Sequence, residues 1–239
     1  MGAQWKQKGR EASALKRGQV FGKLAKEIVV AAKAGGADPD LNARLFAAIE
    51  AAKKHSVPRD TIERAVKKGA GLTGEQVNYE LVTYEGFAPH KVPVIVECLT
   101  DNRSRTAPEI RVLFKAGQLG AIGSVAWMFN HVGVVEAHHT NAAQDLETVA
   151  IEAGAQNVEP ETHDVPAGHV GARFFCDPAD LDTVSKFLSN AGWIVTASEM
   201  SYVAKNTVDV PEAQRPEVIA FLTAIDEHDD VHRVYTAMK

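Results

Sequence analysis

Val92-Pro93-Val94-Ile95-Val96-Glu97-Cys98-Leu99-Thr100-Asp101-Asn102-Arg103-Ser104-Arg105-Thr106-Ala107-Pro108-Glu109-Ile110-Arg111-Val112-Leu113-Phe114 is the stretch where the pattern turns from helical to mixed. Its first eight residues are β-rich and apolar on nearly both faces, which reads as a buried strand. A polar loop with Arg103 and Arg105 follows. Thr106 with Glu109 three residues later has the spacing of a capping box, and Pro108 suits a first helical turn, so a helix is expected from there with Ile110, Leu113 and Phe114 inward.

Upstream, the residues through Ala70 carry 15 Lys+Arg against 7 Asp+Glu, and the remainder carries 11 against 24, so a net +8 front precedes a −13 body. Such asymmetry points to an anionic partner for the front. Met1 to Leu15 is polar and basic and reads as a flexible arm. From about Gln19 to Ala34, Val20, Phe21, Leu24, Ile28 and Ala31 recur at helical spacing, with Lys16, Lys23, Lys26 and Lys33 on the other side. Gly35-Gly36 stops that helix. Asp38-Pro39 is the expected start of a second, with Leu41, Leu45, Ala48, Ile49 and Ala52 inward, and Pro58 the start of a third, with Ile62, Ala65 and Val66 inward. Together they predict a small three-helix bundle.

Gly69 to Gly74 is the expected domain boundary. Beyond it, a strand over Tyr79–Tyr84, a turn over Gly86–Lys91, the quoted strand and helix, and a strand through Val125, Trp127 and Phe129 form an incomplete α/β layer. Residues 132–204 then read β-α-β-β-α-β, the ferredoxin-like split motif. A last helix with Val218, Phe221, Leu222 and Ile225, and a strand Val231–Tyr235, supply what the first layer lacks. The expected fold is therefore α+β: a basic helical bundle over 1–74, a discontinuous α/β domain over 75–131 and 205–239, and an inserted ferredoxin-like domain over 132–204.

Catalytic chemistry finds little support. Gly117 to Ser124 lacks the lysine of a phosphate-cradling loop and runs from helix into strand. The histidines His131, His138, His139, His163, His169 and His228 stand without ligand spacing. The acidic run Asp226–Asp230 reads as a solvated turn. Cys98 and Cys176 give no disulfide framework, and no run of about 18 apolar residues exists to cross a membrane. No enzyme, cofactor or metal is expected, and the chain reads as cytoplasmic and monomeric. Cations opposite an apolar face suit phosphate contacts rather than base reading. The contact candidates are Lys16, Arg17, Lys23, Lys26, Lys33, Arg44, Arg59 and Arg64.

Lys16-Arg17…Phe21…Lys23-Leu24…Glu27-Ile28, Gly36…Asp38-Pro39…Asn42…Leu45, Tyr84-Glu85-Gly86-Phe87, Glu97-Cys98-Leu99-Thr100-Asp101-Asn102-Arg103, Gly120…Gly123-Ser124-Val125…Trp127-Met128-Phe129 and Asp229-Asp230-Val231…Val234-Tyr235 together resemble the YebC family. That family includes the mitochondrial translational activator of cytochrome oxidase subunit one. The resemblance spans essentially the whole chain. It implies three domains and a non-enzymatic regulator of gene expression, either a ribosome-associated translation factor that contacts ribosomal RNA and tRNA and relieves stalling, or a regulator of transcription on duplex DNA. It adds Asn102 and Arg103 to the contact candidates, and Arg105 shares their loop. The sequence departs from the family pattern at Gly86-Phe87-Ala88-Pro89-His90-Lys91 and at Gln118.

Overall fold

The computed structural model describes residues 4–74, 78–162 and 165–239, with side chains from residue 17 onward apart from that of residue 43. Every residue of β2 (Val92–Thr100) is buried, as its two apolar faces require. It pairs antiparallel with β1 (Glu80–Ala88), from Glu80 opposite Thr100 to Ala88 opposite Val92, through a turn at Pro89–Lys91. The strand therefore continues through Gly86 and Phe87, where a turn is expected from sequence. Those two residues pair with the short strand β3 (Gln118–Leu119). Glycine is needed there, because a Cβ at Gly86 would lie 2.4 Å from the Gln118 carbonyl oxygen. β8 (Val231–Thr236) pairs on the far side of β2, and the sheet order is β3-β1-β2-β8.

Alternation along β2 sends Val92, Val94, Val96 and Cys98 to one face. They pack with Ile110 and Phe114 from α4 (Arg103–Leu113) and the turn after it, and with Val218, Phe221 and Ile225 of α7 (Arg215–Asp226). The Phe114 and Phe221 rings meet edge to face at 5.3 Å. The strand expected through Val125, Trp127 and Phe129 is instead a 3-10 turn, Ala126–Met128, that leads directly into β4 (Phe129–His139).

β4, α5 (Leu146–Ala153), β5 (Asn157–Glu161), β6 (Val170–Cys176), α6 (Leu181–Asn190) and β7 (Ile194–Ala204) follow in the β-α-β-β-α-β order, with strands arranged β5-β6-β4-β7. This is the ferredoxin-like layout. Asp145 caps α5 and Gly154, in the left-handed region at φ 77°, closes it. Val135, Ala137, Phe174, Val184, Leu188 and Trp193 form this layer's core.

α1 (Gln4–Gly35), α2 (Ala43–Lys54) and α3 (Arg59–Gly69) precede both sheets. The segment expected to be a flexible arm is helical from Gln4. α2 starts later than Asp38-Pro39 suggests: Asn42 is its cap, accepting from the Leu45 amide at 3.1 Å, while Asp38 closes a turn by accepting from the Asp40 amide. Leu41, expected inward, precedes the helix and is 83% exposed. The chain groups into two compact units, Met1–Glu27 with Gly74–Asn130 and Val203–Lys239, and Ile28–Thr73 with His131–Tyr202.

Candidate nucleic-acid interface

Asn102 opens α4 as Asn42 opens α2. Its side-chain oxygen accepts from the Arg105 amide at 3.1 Å, and its own amide donates to Thr100 Oγ1 at 2.9 Å. The helix thus begins before Thr106, the cap expected from sequence. Pro108 lies inside it, and the carbonyl it leaves without a donor belongs to exposed Ser104. Thr106 is turned into the core, where its hydroxyl lies 2.8 Å from both Thr100 Oγ1 and Asp230 Oδ2.

Asp230 is the centre of this arrangement. It is 4% exposed and accepts from Lys26 Nζ at 2.8 Å, Arg105 Nη2 at 2.8 Å and Thr106 Oγ1. Burial alone would push its carboxyl up. The hydrogen bonds from Lys26, Arg105 and Thr106, with the Lys26 charge, outweigh burial and hold it well below the usual carboxylate range. Lys26 also donates to the Asp229 carbonyl at 2.9 Å, and Lys23 binds the Asp226 carbonyl and carboxylate.

These contacts bear on two expectations together. The acidic run is a turn with Asp226, Glu227 and Asp229 exposed, but Asp230 is drawn into the core, and the Lys23 and Lys26 side chains, named as contact candidates, are only 18% and 19% exposed. Lys23 reaches one carboxylate and one backbone carbonyl, and Lys26 one carboxylate and two backbone carbonyls, so both are engaged within the fold. Arg105 is held likewise by Asp230 and by Asp101 at 3.2 Å. Asn102 is a cap, with its oxygen committed to its own helix. Around them lies a cleft of about 1180 Å³, bordered by Lys23, Lys26, Tyr79, Arg105, Glu109 and His228.

The remaining candidates divide by position. Arg17, Lys33, Arg44, Arg59 and Arg64 are exposed. Arg59 pairs with Glu63 at 2.7 Å and Arg64 donates to the Asp60 carbonyl, both within α3 and at the surface, where such contacts are easily exchanged. The side chain of Lys16, and all of His163, lie outside the described residues.

Arg103 differs from Arg105, two residues on. It is exposed, and with Arg111 it falls at i and i+8 on one face of α4, followed by Lys115 in the next turn. Among the described residues none of these three has a carboxylate partner. Tyr84 lies close to the first two. Burial, with the Cys98 thiol, pushes its hydroxyl up while Arg103 and Arg111 pull it back, so both guanidiniums act on the same group. That hydroxyl is buried without a hydrogen-bond partner among the described residues. Sequence reading missed Arg111 and Lys115 because neither lies in the polar loop that holds Arg103 and Arg105. Their spacing from Arg103 was the available signal.

Two histidine contacts were also unforeseen. His138 and His169 meet through their Nδ1 atoms at 2.8 Å, and burial, then His169, push His138 down. Glu109, His228 and Asp230 lie close enough together to share a cation. Their atoms are already used, with His228 Nε2 on Glu109 at 3.0 Å, its Nδ1 accepting from the Asp230 amide, and Asp230 saturated as described.

Comparison with known proteins places this geometry. Residues 2–72 match the model of the TACO1/YebC N-terminal domain, and residues 79–238 match that of the TACO1/YebC second and third domains. The chain belongs to the TACO1/YebC family. Family relatives include a "probable transcriptional regulatory protein" of Pseudomonas syringae pv. tomato, 56% identical over all of this chain and 99% of its own. A protein of the same description from Bdellovibrio bacteriovorus is 50% identical over the full length of both. The crystal structure of the conserved hypothetical protein Aq1575 from Aquifex aeolicus is similar at a TM-score of 0.75 and 37% identity, covering 94% of this chain and 90% of that one. Thr100, at the start of the Thr100-Asp101-Asn102-Arg103 segment, and Arg105 just beyond it both reach the Asp230 carboxylate, so these residues have a structural role here.

Proposed function

We propose that this protein is a non-enzymatic, nucleic-acid-binding regulator of gene expression that works on the ribosome, contacting ribosomal RNA or tRNA and relieving stalls. The observation that carries the reading is the exposed row Arg103, Arg111 and Lys115, which has no carboxylate partner among the described residues. Exposed Arg17, Lys33, Arg44, Arg59 and Arg64 extend the supply of cations on the helices. Such groups grip phosphate without reading bases. Recognition of structured RNA relies on shape and backbone in this way. The three domains would be residues 1–74, 75–131 with 205–239, and 132–204, acting as a monomer in the cytoplasm; no helix among the described residues is long and apolar enough to cross a membrane.

The two cysteines offer no activated thiol. Burial pushes the Cys98 thiol up to about 12 and the Cys176 thiol up to about 11, so neither is a thiolate at neutral pH. The second reading, regulation of transcription on duplex DNA, is favoured by the names of the relatives. Sucrose-gradient sedimentation of cell extract at low salt separates the two. The ribosomal reading expects the protein in ribosomal fractions and its release by salt. Absence from those fractions, with binding to one promoter roughly 10³-fold above random duplex, supports the transcriptional one.

A further inference from the structure

The loop between α4 and β4 carries two large apolar side chains in the open: Ile122 is 89% exposed and Trp127 64%. Isolated exposed apolar residues are ordinary, but this loop is held unusually firmly. The Glu85 carboxylate, buried on β1, accepts from the amides of Gly123 at 2.7 Å, Val125 at 2.8 Å and Ala126 at 2.7 Å. Burial would raise that carboxyl; the three amides outweigh it and lower it. The Gly120 amide donates to the Glu85 carbonyl, Val125 is fully buried, and Gly123 takes the left-handed φ of 84° that the turn needs. The indole N–H of Trp127 donates to the Ser124 carbonyl at 3.1 Å, so the ring is oriented and its polar atom is occupied. What remains to the outside is ring surface.

A basic residue is tied to the same turn. The Lys205 amide donates to the Met128 carbonyl at 2.9 Å, which fixes its backbone beside the residue that follows Trp127. Lys205 is exposed and has no ion pair among the described residues.

We propose that Trp127, with Ile122 in the same loop, is a stacking platform for an unpaired base of a single-stranded nucleic acid, and that Lys205 meets the adjoining phosphate. This rests on the nucleic-acid reading above and gives it a substrate class. An indole whose N–H is internally bonded offers only its π surface, which every base accepts, and bases are free to take it only where they are not stacked in a duplex. A protein partner fits less well, since a stable protein interface takes roughly 20–30 residues a side and this patch is two side chains.

The test is fluorescence anisotropy of the full chain with a labelled single strand of roughly 12 nucleotides and with a duplex of the same length. Trp127→Ala weakens single-strand binding by about 5- to 100-fold, the range of one lost base stack, while leaving duplex binding and thermal midpoint unchanged. Trp127→Phe retains most of the affinity. Equal weakening on both polymers, or no weakening on the single strand, overturns the platform and leaves the wider reading standing. Unchanged single-strand affinity with lost ribosome co-sedimentation also overturns it, assigning the loop to a protein contact. A wild-type chain that binds neither polymer overturns the nucleic-acid reading itself.

Discussion

Lys23 and Lys26 in the middle of α1, and Arg103 and Arg111 on α4, are cations of the same kind with opposite fates. The first pair is turned toward Asp226 and Asp230 and reaches two or three acceptors each. The second pair is exposed, in line, and without a carboxylate among the described residues. The difference teaches that a basic stripe is evidence for an external anion only once internal anions have been accounted for. Two residues suffice to cross the line: Arg105 holds Asp230, and Arg103 does not.

The sharpest way to break this contrast is to remove the anion. Asp230→Asn leaves Lys26 and Arg105 facing a neutral amide, and loss of one member of a buried charge network costs about 3 kcal/mol. For a chain of this size that is a fall of about 6–12 °C in thermal midpoint by calorimetry. A wild-type midpoint combined with tighter nucleic-acid binding would instead make Lys26 a ligand contact.

The same carboxylate predicts an acid limb. Its folded pKa is depressed, so its contribution is complete above about pH 4 and is lost as pH falls below that, where the unfolded chain takes up the proton first. Denaturant titrations should show Asp230→Asn with a flatter loss of stability toward acid than the parent. Parallel limbs would remove Asp230 from the cause.

A smaller effect sharpens the contrast from the other end of β1. Glu85→Gln keeps one acceptor oxygen but loses charge assistance to three amides, which costs about 2 kcal/mol. Hydrogen exchange should quicken at Gly123, Val125 and Ala126 more than elsewhere in the sheet. Uniform exchange would mean the loop is held by Val125 alone.

The central strand was legible because Val92–Thr100 is a β-rich run apolar on both faces, whereas β3 and the 3-10 turn Ala126–Met128 are too short to leave a periodic signal. The β-α-β-β-α-β order over β4 to β7 was legible too, with Asp145 and Gly154 marking α5. Helix starts were displaced at α2 and α4 because Pro39 and Pro108 look like first-turn prolines, while the true caps, Asn42 and Asn102, carry an amide that serves as well as a carboxylate or hydroxyl. The site was least legible. A helical wheel shows which residues share a face but not what meets that face, and Asp226 and Asp230 lie some two hundred residues from the lysines they hold. Nothing in the spacing of Glu85 announces its hold on the loop amides.

The central claim, that the outward row on α4 grips phosphate while the inward pair on α1 holds the fold, is tested most directly by the salt dependence of RNA binding. Arg103→Ala with Arg111→Ala should reduce the slope of log affinity against log salt by about 1.5–2, with the thermal midpoint kept. Lys23→Ala with Lys26→Ala should lower the midpoint and leave the slope of the folded protein unchanged. The reverse assignment, a slope that falls with the lysines and not with the arginines, would contradict the account.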